Sequence, residues 1–82
     1  MKATVTVELK PAVLDPQGKA IQHSLEALGF SGVEDVRVGK VFRITISDDG
    51  STRKDVEERL DEMSRKLLAN PIVETYRVDV EG

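Results

Sequence analysis

Residues 33–47, VEDVRVGKVFRITIS, decide how this chain folds. Val36 and Val38 share one parity with Phe42, Ile44 and Ile46, and Lys40 is the polar member of that series. A two-residue turn at Gly39-Lys40 would pair Val38 with Val41 and throw Phe42 onto the opposite face. A three-residue loop, or a bulge beside Gly39, pairs Val38 with Phe42 and keeps every apolar residue inside. One bent strand also preserves the phase, but it is long for a small domain. The spacing therefore predicts a hairpin over 33–47.

Upstream, TVTVEL at 4–9 alternates, with Val5, Val7 and Leu9 on one face, and Lys10-Pro11 ends that strand. Asp15-Pro16 reads as an N-cap followed by a proline at the first helical position. Ile21, Leu25 and Leu28 then form a helical stripe, and Gly29 closes it. Downstream, Asp48-Asp49-Gly50-Ser51 is a turn cluster, and Ser51 or Thr52 caps a second helix. That helix has a stripe of Val56, Leu60, Met63 and Leu67, and Asn70-Pro71 stops it. Ile72, Tyr76, Val78 and Val80 are in phase along a last strand. The expected order is β-α-β-β-α-β. It makes a ferredoxin-like α/β two-layer sandwich, an antiparallel sheet with two helices on one face. Residues 1–82 form one small domain.

Composition narrows the chemistry. The chain has 82 residues, 12 basic and 15 acidic, with one His and no Cys. Without cysteine there is no disulfide framework, thiolate nucleophile or cysteine-held metal cluster. A pI near 5.1 disfavours a nucleic-acid footprint. MKATVTVELK reaches Glu8 with no signal-peptide or membrane-spanning run, so a cytoplasmic protein without membrane contact is expected. A folded monomer of this mass exposes about 4,900 Å² and has a thin core.

No candidate set assembles a nucleophile with an oriented base. His23 reads as a solvated helical residue, Asp48, Asp49 and Asp55 as turn and helix-start residues, and Glu57, Glu58, Asp61 and Glu62 as a charged helix face. No catalytic, cofactor-binding or metal-binding residue is assigned. Lys10, Arg37 and Lys40 combine a rigid fork with flexible ammonium groups and suit a partner interface or a phosphate. Asn70, Glu74 and Tyr76, clustered around the start of an amphipathic edge strand, suit a partner interface. Asp15 is expected to act as a helix cap.

Several blocks together resemble a known family. LKPAVLDPQGKAI at 9–21, LEALGF at 25–30, VEDVRVGK at 33–40, Phe42 and KLLANPIVETYRV at 66–78 are similar to the small subunit of phosphoribosylformylglycinamidine synthase, the PurS family. Ser64 stands where that family often has a cysteine. The resemblance implies a non-catalytic structural subunit in purine biosynthesis. It would dock a glutaminase subunit and a large synthetase subunit so that ammonia passes between them. The complex, not this chain, would use ATP, Mg and glutamine to convert formylglycinamide ribonucleotide to formylglycinamidine ribonucleotide. A homodimer, with a tetramer also open, is implied. The alternative is a small regulatory ligand-binding domain, because fold does not fix function.

Overall fold

The computed structural model describes residues 1–47 and 49–81; Asp48, part of the expected turn cluster, lies outside them. The elements are β1 (Lys2–Leu9), α1 (Pro16–Ala27), β2 (Gly39–Thr45), α2 (Arg53–Met63), continued by a π-helical turn at Ser64–Leu68, and β3 (Glu74–Glu81). β1 is the central strand, antiparallel to both neighbours, so the sheet order is β2-β1-β3. Both registers run without a bulge.

The α/β sandwich class, with an antiparallel sheet and two helices, is as expected from the sequence. Its details are corrected in two places. No hairpin forms over 33–47: residues 33–38 pair with no strand, and the sheet of the described residues has three strands. Instead of reversing at Gly39, the chain runs back along α1. Gln22 Nε2 donates to Val33 O and Glu34 O at 3.0 and 3.1 Å, and Val38 N donates to Asp15 Oδ2 at 2.8 Å. Side chains and a helix cap thus satisfy groups that a strand would have satisfied. Secondly, the two helices do not share one face. α2 packs on β3, whereas α1 makes no comparable contact with any strand.

α1 and residues 33–38 therefore project as an arm. The molecule measures 53 × 25 × 15 Å with a radius of gyration of 16.5 Å, against about 12 Å for a compact chain of this length. Its surface of 5984 Å² exceeds the roughly 4,900 Å² of a compact monomer of this mass.

The core lies between α2 and the inner face of the sheet. Ala3, Val56, Leu60 and Val80 form one buried cluster, and Val5, Val7 and Ala69 another. The outer face is polar, lined by Thr4, Thr6, Arg43, Thr45, Thr75, Arg77 and Asp79, in keeping with strand alternation. Thr52 caps α2 with a reciprocal bond from its own backbone N–H to Asp55. The expected α2 stripe holds at Val56 and Leu60 but fails beyond them. Ser64, four residues on from Leu60, is buried; the π-helical turn that begins there shifts the phase, and Leu67 is 83% exposed. Ser64 Oγ donates to Leu60 O at 2.8 Å, which keeps its hydroxyl satisfied inside.

Candidate interaction site

Three groups of polar side chains are built by the fold. The first is the seat of the α1 arm. Asp15 is 6% exposed, and its carboxylate accepts from Gly18 N at 2.9 Å and from Val38 N at 2.8 Å. These two backbone donors hold its carboxyl below the ordinary 3.8. Gly18 is required here because a Cβ on it would stand 2.0 Å from Val36 O. Arg37 donates to Val13 O and Pro11 O and pairs with Asp35 at 3.5 Å. The expected cap at Asp15 is thus also the joint between α1 and residues 36–38. Arg37, expected to face outward to a partner, ties the 11–13 loop to that joint.

The second group crosses the sheet at the same end. Lys40 on β2 reaches over β1 to Glu74 on β3 at 3.9 Å. Glu74 Oε1 also accepts from Asn70 N at 2.7 Å, and Asn70 Oδ1 accepts from Ile72 N at 3.1 Å. The structure thus joins Lys40, from one of the sets read in the sequence, to Asn70 and Glu74, from the other. Lys10 lies near them in the chain path, where its backbone N donates to Val73 O at 2.9 Å.

The third group was missed in the sequence. Tyr76 leaves the Asn70 cluster and donates its hydroxyl to Asp61 Oδ1 at 2.7 Å. Arg65 Nε donates to Asp61 Oδ2 at 3.0 Å. The Tyr76 hydroxyl and the Arg65 guanidinium hold the Asp61 carboxyl below its ordinary value, and Asp61 in turn raises the Tyr76 phenol. These residues line an open groove of about 770 Å³ between α2 and β3, with Glu57, Glu58, Glu62 and Arg77 along it. The available signal was the chain's one tyrosine, in phase with core residues opposite an acidic helix face. Asp61 had read as part of a solvated charged face because its partner lies on another element.

Among the described residues, no group of three His, Cys, Asp or Glu is placed to hold a metal ion, and no helix is long and apolar enough to cross a membrane. Large apolar side chains instead stand in solvent on the arm and beyond it: Leu28 at 74%, Phe30 at 59% and Ile72 at 79% exposure.

A thin core, an arm that packs little on its own sheet and side-chain networks that serve to fix its shape define a small α/β assembly module. The relatives agree. The family model for PurS, phosphoribosylformylglycinamidine (FGAM) synthase, matches residues 2–82, and the chain belongs to this family. It is 45% identical over 80 residues to the phosphoribosylformylglycinamidine synthase subunit PurS of Bacillus subtilis, covering 98% of this chain and 92% of that one. The Methanocaldococcus jannaschii subunit PurS is 42% identical over 80 residues, covering 98% and 94%. Among solved structures, Bacillus subtilis PurS superposes with a TM-score of 0.87 at 44% identity, covering 99% and 98% of the two chains. A chain of the PurLQS structure from Thermotoga maritima matches with a TM-score of 0.83 at 29% identity, covering 95% and 93%.

Proposed function

We propose that this chain is the small, non-catalytic subunit of a phosphoribosylformylglycinamidine synthase complex in the cytoplasm. It self-associates as a homodimer, with a tetramer open, and docks the glutaminase and synthetase subunits so that ammonia passes between them. Ammonia is easily lost to water or protonated, so two reaction centres that share it need a fixed spacing. Glutamine, ATP and Mg belong to the chemistry of the larger subunits. The observation that carries this reading is the arm: α1 presents Ile21, Leu28 and Phe30 to solvent instead of to its own sheet. An apolar helix stripe left uncovered by its own chain is stabilised by burial against another. Lys10, Lys40, Asn70, Glu74 and Tyr76 are assigned to the rim of those contacts, where polar residues orient a partner. Arg37 supports them from behind by holding the arm's loop.

The test is size-exclusion with light scattering of this chain mixed with the two larger subunits, in glutamine, ATP and Mg. Co-elution of all three, and ammonia transfer that requires this chain, is the expected result. A chain that stays monomeric and elutes apart from both overturns the proposal. Saturable binding of a small ligand by the isolated chain, without co-elution, would favour the regulatory alternative.

A further inference from the structure

β2 ends the sheet on the side away from β3, and its backbone is open there. The parity is fixed at Ile46, whose N–H donates to Met1 O at 2.8 Å and whose carbonyl accepts from the Met1 amino group at 2.9 Å. Backbone groups of an antiparallel strand alternate sides, so Ile44, Phe42 and Lys40 also turn theirs to β1, opposite Ala3, Val5 and Val7. Val41, Arg43 and Thr45 turn their N–H and C=O groups outward, where no backbone group of the described residues meets them. The strand has no proline and no bulge, and an open ladder of this kind invites pairing.

The side chains along this edge state what fits it. On the core face Phe42, Ile44 and Ile46 are only half-buried, because α2 packs on β3 while α1 makes no comparable contact with any strand. On the outer face Val41 is 60% exposed, and Arg43 is exposed with no ion pair among the described residues. β2 carries Lys40 and Arg43 and no carboxylate.

We infer that β2 takes up an extended segment of one of the larger subunits as a fourth strand, a segment that alternates apolar with acidic residues. Its backbone would pair with Val41, Arg43 and Thr45. A carboxylate would stand opposite Arg43 on the outer face, and apolar side chains beside Phe42 and Ile44 would complete the core face that no helix covers. Main-chain bonds give such a strand its affinity, and alternate side chains give its specificity. A second copy does not supply the segment through its own β2. No register of β2 against itself forms an opposite-charge pair, and like charges across a ladder are destabilising. The charges that keep two such edges apart therefore select a segment of opposite sign. The edge is also continuous with the arm, since β2 starts at Gly39 directly after residues 33–38. A subunit lying along the arm reaches the edge without a break. This inference rests on the reading that the chain docks larger subunits.

Residue-resolved hydrogen exchange tests it in the labelled chain, alone and assembled with both larger subunits in glutamine, ATP and Mg. Alone, the amides of Val41, Arg43 and Thr45 are expected to exchange fast and those of Phe42 and Ile44 slowly. In the assembly the first three are expected to slow about tenfold or more. Two variants accompany the measurement. V41P removes an N–H that makes no bond within the chain, a position where an edge strand tolerates proline, and it is expected to weaken capture about tenfold or more. R43E is expected to weaken capture about tenfold, while R43K stays within about threefold of wild type. Urea unfolding of the isolated variants separates lost docking from lost fold; if V41P unfolds, R43E and the exchange pattern decide. Fast exchange at 41, 43 and 45 in the assembly, or capture indifferent to the folded variants, overturns edge docking and leaves docking through the arm standing. Protection of the same amides in the chain alone, rising with concentration, gives the edge to a second copy and overturns it as well. A wild type that co-elutes with neither larger subunit overturns the reading beneath it.

Discussion

Asp61 shows how much one side chain depends on its tertiary neighbours. On the helix it is one of several carboxylates, and its i+4 partner Arg65 is an ordinary surface pairing. What distinguishes it is the phenol of Tyr76, 2.7 Å away from a strand fifteen residues further on. A hydroxyl donated to a carboxylate favours the protonated phenol, because ionisation would place two negative charges in contact. The Tyr76 phenol is accordingly raised above 10.0. With one Tyr and no Trp in the chain, ultraviolet absorbance reports this group alone. Titration is expected to show ionisation above pH 10 in the wild type, and D61N is expected to bring it back toward the ordinary value of 10.0. The sign for stability follows: a group raised in the fold contributes fully below its ordinary value, and that contribution disappears as pH rises through the folded value. A D61N titration that matches the wild type would remove Asp61 as the cause.

At the scale of elements, the chief lesson is α2. Its sequence stripe of Val56, Leu60, Met63 and Leu67 assumes uniform α-helical pitch, and the π-helical turn at Ser64–Leu68 breaks that assumption. The Ala69 N–H bonds Ser64 O at 2.8 Å, five residues back, and the added residue rotates Leu67 outward. Leu60 and Leu67 should therefore behave oppositely despite equal places in the pattern. Leu60→Ala removes a fully buried side chain and is expected to cost about 2–5 kcal/mol. Leu67→Ala is expected to stay within about 0.5 kcal/mol in the isolated protein. Urea unfolding measures both, and similar losses would contradict the phase shift. The hairpin expectation failed for a related reason. Alternation at Val36 and Val38 is real, but Asp15 and Gln22 supply the hydrogen bonds, and a Cβ at Gly18 would be excluded by Val36 O. Periodicity marks which residues face alike; it does not say which group will satisfy the backbone.

For the whole molecule, the consequence is an arm whose apolar residues gain little within the single chain. Leu28 and Phe30 lie at its C-terminal end, 74% and 59% exposed. Replacing both by Glu is expected to change the stability of the isolated chain by no more than about 0.5 kcal/mol for each site. The same double variant is expected to weaken capture of the larger subunits by about a hundredfold, the scale of losing one or two apolar anchors. Calorimetry on the isolated chain and co-elution with the two larger subunits separate these effects. Unchanged co-elution would show that the arm's tip is not a contact.

The sequence by itself determined the two helices and the three strands that form, the Asp15 cap, the inward parity of those strands and, through its ordered blocks, the family. These follow from local rules: side-chain period, proline and glycine geometry, and cap chemistry act over a few residues. Only the tertiary structure decided that residues 33–38 join the arm instead of the sheet, that Leu67 turns outward and that Tyr76 meets Asp61. Each depends on a contact between segments distant in the chain: Asp15 with Val38, and Asp61 with Tyr76. Eighty-two residues encode the two layers locally. The course of the arm is settled by which distant donors and acceptors find one another when the layers close.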